Sequence, residues 1–384
     1  MIATLRHCLI IGLILTSVSA AASHNAPEPL SNEPSWLDEF LDKLGADGEF
    51  DADKLIDFSF LPGPFYNPEM QLGVGMSAVG LYQVDDNPNT QLSSLVINAL
   101  ASTNGALGVS MNNKTFLNED QQRFYLTMEL FDVPDVYYGV GYDSNHQPNN
   151  RVDFDSRSAR LNPMWLQRLF QYSFVGIGFD VDYEQGRNVT AINPDIDGSL
   201  VTESSTSVGV DLLINYDSRD NVLNPQQGRI AQLELGIYRT ALGSDNNFNI
   251  IDLQYSRYIG LREQDVLAWQ VRGRFSSGDV PWNQLSKLGG GHLLRGYTSG
   301  RYRDQQMLLM QAEYRHHLKG RHGMVYWLGG GVLADEVHHL TDSKVLPSVG
   351  LGYRFEVKPR VNLRLDLAFG DGDSGFYFNV NEAF

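Results

Sequence analysis

The sequence predicts an all-β protein: a transmembrane antiparallel β-barrel of 16 strands, with 14 as the alternative count. Three observations carry this. The chain opens like an exported precursor, it alternates apolar and polar residues over long stretches, and its connections are short and long in turn.

The opening comes first. Arg6 forms a short basic region, "CLIIGLILTSV" an apolar core, and "VSAAAS" a small-residue cleavage site. This predicts a signal peptide over 1–20, cut after Ala20. The apolar run is short for a membrane helix, which needs ~20 residues. His7 before Cys8 speaks against lipidation. Cys8 is the only cysteine and leaves with the signal, so neither a disulfide nor a cysteine metal site is expected in the mature chain.

Residues 21–54 are expected to form a periplasmic linker. Within it "SWLDEFLDKLG" sets Trp36, Leu37, Phe40, Leu41 and Leu44 at helical spacing, and Gly45 can stop the helix. The acidic "GADGEFDADK" that follows lacks full calcium-loop spacing and reads as a solvated linker.

The barrel is expected over 55–384. In "VNLRLDLAFG", Val361, Leu363, Leu365, Leu367 and Phe369 share one face, opposite Asn362, Arg364 and Asp366. "LLMQAEYRHHL" and "LAWQVRGRF" repeat the pattern. Period-two alternation marks strands with one apolar face. In a membrane barrel that face meets lipid and charge fills the interior. Many runs approach the ~10 residues that a tilted membrane strand needs. Short connections near 260–265, 319–322 and 357–360 alternate with long ones near 276–304 and 334–344, as periplasmic turns and outside loops do. Positions 145, 276 and 342 are therefore expected on exposed outer loops. Fifteen strands are clear; a sixteenth, near 55–61, is weak and would pair poorly.

The formal charge of −17 argues against nucleic-acid partners. "GGGHLLRG" lacks the ending of a phosphate loop. His316 and His317 are adjacent on a strand and point to opposite faces. With His322, His338 and His339 they read as solvated turn residues rather than a metal site. The Ser, His and Asp residues form no nucleophile motif, so no enzyme activity and no cofactor are expected.

One loop, "LGGGHLLRGYTSGRYRD" at 288–304, places arginines inside strand-like sequence. Taken alone these residues also fit a solvated loop. Together with "NYDSRDNVLNPQQG" at 215–228, "EYR" at 313–315 and the ending "GFYFNVNEAF", the set resembles the outer-membrane assembly barrels that include BamA and TamA, the bacterial surface antigen family. The likeness runs from about Phe60 to Phe384. It implies a loop-anchor signature of Arg295, Gly296, Tyr297 and Glu313. It also implies a family turn made by Asp217, Arg219, Asp220, Pro225 and Gly228. Phe376, Phe378, Val380 and Phe384, expected on one face, would then be an insertion signal read by the barrel-assembly machinery.

By that resemblance the loop folds back into the barrel. Burial of a guanidinium requires a partner, and Glu313, on the inward face of the next strand, is the expected one, with Asp335 or Asp366 as substitutes. Gly289–Gly291 would permit the reversal, and Tyr297 would pack on the wall. Two departures stand out. Gly329 occupies the place of an expected aspartate. The stretch of about 35 residues ahead of the barrel is short for even one periplasmic transport repeat, a small domain in its own right. The implied role is a non-enzymatic outer-membrane barrel, in contact with outer-membrane lipid, that aids biogenesis or translocation of a protein or lipid client through the seam between first and last strands. The alternative is a passive pore or structural barrel.

Overall fold

In a computed structural model the described residues are 39 and 42–384, except 68–69, 86, 88–89, 194–195, 197 and 262–263. The predicted signal peptide lies outside them, and so do Trp36, Leu37, Phe40 and Leu41 of the predicted helix.

Sixteen strands form one antiparallel sheet in chain order. They are β1 (Asp57–Asn67), β2 (Gln71–Tyr82), β3 (Ser93–Ser102), β4 (Leu107–Leu117), β5 (Gln122–Tyr137), β6 (Val152–Phe170), β7 (Ser173–Ala191), β8 (Ser205–Asp217), β9 (Gly228–Tyr238), β10 (Phe248–Gly260), β11 (Val266–Gly278), β14 (Gln306–Lys319), β15 (His322–Ala334), β16 (Leu346–Lys358), β17 (Val361–Phe369) and β18 (Ser374–Val380). The short hairpin β12 (Ser286–Leu288) and β13 (Tyr302–Asp304) sits in the long loop between β11 and β14. The expected count of 16 holds. The weak first strand begins at Asp57 rather than 55, and it pairs with β2 along its full length.

The alternation read from sequence becomes inside and outside. Leu308, Met310 and Tyr314 of β14 are exposed on the outer wall, whereas Leu309, Gln311, Glu313 and Arg315 are buried in the lumen. Leu212, Ile214, Leu233, Leu253 and Leu267 extend the exposed apolar surface around β8–β11. A continuous apolar exterior around a charged interior is stable in lipid, where strand pairing satisfies the backbone. Among the described residues no helix is long and apolar enough to cross a membrane. β6 and β7, at 19 residues each, exceed the ~11 a membrane strand needs, so they project past the lipid at the long-loop end.

The long loops fold over that end. Helix α1 (Tyr142–His146) packs on the β12–β13 hairpin. The Asn145 side chain donates to the carbonyls of Tyr138 and Gly139 and accepts the Arg303 amide at 2.9 Å. Asn145 is therefore fully buried, and Ser276 is buried as well. Both depart from the exposed positions expected of them, because the outer loops pack on one another. Asp342 is exposed as expected.

Candidate functional site

Three linked features lie in and around the lumen. The first is the long loop of residues 279–305. Gly289 and Gly290 adopt left-handed backbone (φ +112° and +82°), and the chain reverses there. Arg295 reaches the lumen fully buried. It pairs with Glu313 and, at 2.7 Å, with Asp366 of β17. Its guanidinium stacks 3.7 Å from the centre of the Trp327 ring, a favourable cation–π geometry. Arg295 thus meets Glu313, its expected partner, and Asp366, named as a substitute, at the same time. Asp335, exposed and bonded to His339, plays no part.

These pairs belong to a larger array. Glu313 also binds Arg315 at 3.0 Å, and Asp366 binds Arg354 at 2.6 Å and Arg364 at 3.5 Å. Glu382 accepts from Arg354 at 2.9 Å. Arg364 donates to the Gly291 carbonyl at 2.8 Å, tying the array back to the loop. Interior charges are tolerable when each is paired with opposite charge; Arg295 Nε, one Arg354 nitrogen and two Arg364 nitrogens nonetheless have no hydrogen-bond partner among the described residues. Tyr297 packs on the wall as expected. Its hydroxyl donates to the Pro347 carbonyl and accepts the Asp371 amide. Gly296 has φ +105°, and a Cβ there would lie 2.7 Å from the Phe369 backbone; only glycine permits this approach.

The second feature is the turn between β8 and β9. Asp217 accepts two hydrogen bonds from Arg219 and one from Arg123 at 2.9 Å. Arg123 also clasps Asp120 and lies 3.9 Å from the Phe174 ring centre. Asp220 accepts the amides of Gln226 and Gln227 and pairs with Arg360 at 3.2 Å. Pro225 is buried, and a Cβ on Gly228 would strike the Ser218 carbonyl at 2.2 Å. Residues 218–227 thus cross the short-turn end of the barrel to the β16–β17 turn, with Leu223 packed against Leu61 and Val361. The five predicted residues come together in this turn, which forms a floor across the short-turn end of the barrel.

The third feature is the seam. No ladder joins β18 to β1 among the described residues. The Phe60 amide donates to the Leu44 carbonyl at 2.8 Å, so it points away from β2. Residues two apart on a strand point their amides the same way. Pro62 and Pro64 therefore stand next along this free edge, and neither has an N–H to offer. The Phe378 ring bridges the gap by lying over Gly63, where a Cβ would meet it at 2.5 Å. Below, residues 44–48 strap the seam: the Ser59 hydroxyl donates to the Gly45 carbonyl and the Gly48 amide to that of Val357. Buried Lys358 pairs with Asp47 and Asp57, each at 2.7 Å. Partial burial raises the Asp47 carboxyl pKa, but the hydrogen bond from Lys358 and the Glu49 amide outweigh it and hold the group below its ordinary value.

The C-terminal residues need correction. Phe376 is exposed on the outer face, Phe378 covers the seam, and Val380 packs on the cluster around Leu61. Asn381 is left-handed (φ +67°), so the chain leaves the sheet and turns inward. Phe384 then lies in the lumen against Ile230, Tyr258, Val266 and Ala268, and its carbonyl accepts from Arg315 at 2.8 Å. It does not share the lipid-facing row. Asp366 was expected only as a substitute for Glu313, not alongside it, and Trp327 and the paired arginines were missed as loop partners. Their inward alternation was visible in the sequence, but their convergence on Arg295 depends on how the loop enters the barrel.

Comparison with known proteins places this architecture. The Omp85 superfamily domain matches residues 92–384. Among solved structures, BamA from Haemophilus ducreyi lacking POTRA domains 1–3 is 15% identical with a TM-score of 0.52, over 85% of this chain and 69% of that one. CdiB from Acinetobacter baumannii is 13% identical with a TM-score of 0.53, over 85% and 60%. CdiB from Escherichia coli is 11% identical with a TM-score of 0.54, over 84% and 61%. The chain therefore spans only 60–69% of the length of these structures. No curated protein sequence matches it.

Proposed function

Because the chain belongs to the Omp85 superfamily and is a bacterial outer-membrane barrel, we propose that it works in outer-membrane biogenesis or translocation, without enzymatic chemistry, by opening the seam between β18 and β1 to a protein or lipid client. The observation that carries this reading is the free edge of β1. An unpaired strand edge is a template for another strand, and here Pro62 and Pro64 withhold donors that would otherwise seal it. The strap and the Phe378 ring keep that edge covered until something displaces them. The anchor signature, Arg295 with Glu313, holds the loop against the wall of β14–β17, so the lumen stays filled while the seam works. The last strand, with Phe376, Phe378 and Val380, remains a candidate signal for the machinery that inserts this barrel.

The alternative, a passive pore, fits less well. The floor formed by residues 218–227, the Phe384 tail and the anchored loop all occupy the lumen.

The test is a cysteine pair at Gly63 and Phe378 in barrels reconstituted into liposomes. An unfolded eight-stranded outer-membrane protein serves as the probe client. The reduced protein should accelerate probe insertion, and the oxidised, cross-linked protein should not. Equal rates in both states would refute the seam reading. Steady conductance of the natural chain in planar bilayers would favour the pore.

A further inference from the structure

We propose that the outer wall at β8–β11, away from the seam, binds one anionic phospholipid of the periplasmic leaflet. Arg229 and Arg257 sit directly opposite each other on β9 and β10, and both are exposed on the outer face. Like charges facing each other across a ladder destabilise it. Elsewhere at this end Arg168, Arg219, Arg315, Arg321 and Arg360 each have a carboxylate partner. Among the described residues Arg229 and Arg257 have none. Two unneutralised cations side by side on a membrane face call for an anion from outside the chain.

The neighbours say where that anion resides. Arg229 lies 5.0 Å from the centre of the Tyr216 ring. Arg257 faces Trp269 on β11, whose ring is 5.1 Å from that of Tyr255. Aromatic residues of this kind mark the level of lipid headgroups. Arg229 follows the β8–β9 turn by one residue, which puts the row at the short-turn, periplasmic end. At this depth an arginine on the lipid face is tolerated, whereas at the midplane it is not.

A second, independent observation supplies the rest of the ligand. An apolar groove of about 480 Å³ runs along the outer wall, lined by Ile214, Leu233, Leu253 and Phe275 and reaching Tyr216 and Tyr255. Ala231 and Gly273 leave its floor low. The groove ends at the tyrosines beside the two arginines. Its shape fits an acyl chain, and the arginines fit the phosphate at that chain's head, because guanidinium groups pair with phosphate in bidentate fashion. The arrangement stands apart from the seam and does not depend on what the seam does.

Native mass spectrometry of the purified full chain in detergent tests this, with dioleoyl phosphatidylglycerol, dioleoyl phosphatidylcholine and glycerol phosphate as probes. Each surface arginine near anionic lipid favours binding enough that the pair should give phosphatidylglycerol about tenfold preference over phosphatidylcholine. The double variant Arg229→Gln/Arg257→Gln should erase that preference and leave weak phosphatidylcholine binding unchanged. Ala231→Leu fills the groove and should lower retention of both lipids with the charges intact. Glycerol phosphate, which has no acyl chain, should not compete. Equal retention of the two lipids by the natural chain would overturn the proposal. So would a preference that survives the double arginine variant, effective competition by glycerol phosphate, or unaltered retention by Ala231→Leu.

Discussion

The wall of β14–β17 and the seam between β18 and β1 are near neighbours in the barrel, and they treat polar groups in opposite ways. Along the wall, four guanidinium groups meet three carboxylates in the lumen, and backbone ladders join each strand to the next, with register shifts only beside the short turns, at His317/Lys319 and Glu356/Lys358. At the seam the ladder is absent, donors are missing at Pro62 and Pro64, and one ring, a strap and a lysine pair hold the edges. The wall is held by coupled interactions that share partners, so that losing one leaves others in place. The seam is held by small ones that can be released singly. Under the proposed function, a loop that stays fixed while an edge opens would use this division.

The strongest challenge to the comparison is Arg295→Ala. Removing one partner of a buried pair costs about 3–5 kcal/mol. Limited proteolysis from outside should then cut the loop of residues 279–305, while the barrel remains folded by heat-modifiability. Glu313→Gln should act in the same direction but more weakly, because Asp366 still holds Arg295. Combined with Arg295→Ala it should add less than its own effect, as coupled partners do. Full additivity would mean that the two side chains are energetically separate.

Phe384→Ala comes next, at up to about 3 kcal/mol for loss of a partly buried ring. It should lower the unfolding midpoint, while Arg315 keeps its pairing with Glu313. A change confined to insertion yield, with no loss of stability in the folded fraction, would point instead to the insertion-signal role expected from the sequence.

Pro62→Val/Pro64→Val sharpens the contrast from the other side. Two restored donors, each worth about 0.5–1.5 kcal/mol if paired, should raise the unfolding midpoint and slow any seam-dependent insertion. An unchanged midpoint would mean that donor supply is not what keeps the edges apart.

The smallest effect belongs to the strap. The Asp47 carboxyl is held below its ordinary value, so its contribution is present at neutral pH and is lost as the pH falls through the folded-state value. Asp47→Asn should mimic that loss at pH 7. A fluorophore on residue 49 should report strap release in acid for the natural chain and no further change for the variant.

The sequence by itself determined the barrel, its sixteen strands and the inward rows carrying Glu313, Arg315, Arg364 and Asp366, because period-two alternation is a local property that survives whatever the tertiary context. The resemblance carried by its motifs also marked Arg295 and the Asp217–Gly228 turn, which taken alone fit solvated loops as well. Only the tertiary structure decided the rest. Arg295 has two carboxylate partners because a loop entering the lumen lies between two strands at once, β14 and β17, which no spacing along the chain reveals. Phe384 turns inward because a single left-handed residue, Asn381, reverses the strand after a pattern that otherwise continues. Asn145 and Ser276 are buried because outer loops pack on each other. The two prolines in "LPGPFY" read simply as a weak strand until pairing with β2 shows which edge they face. Hydrogen-bond direction, unlike hydrophobic alternation, acquires meaning only when the neighbouring strand is in place.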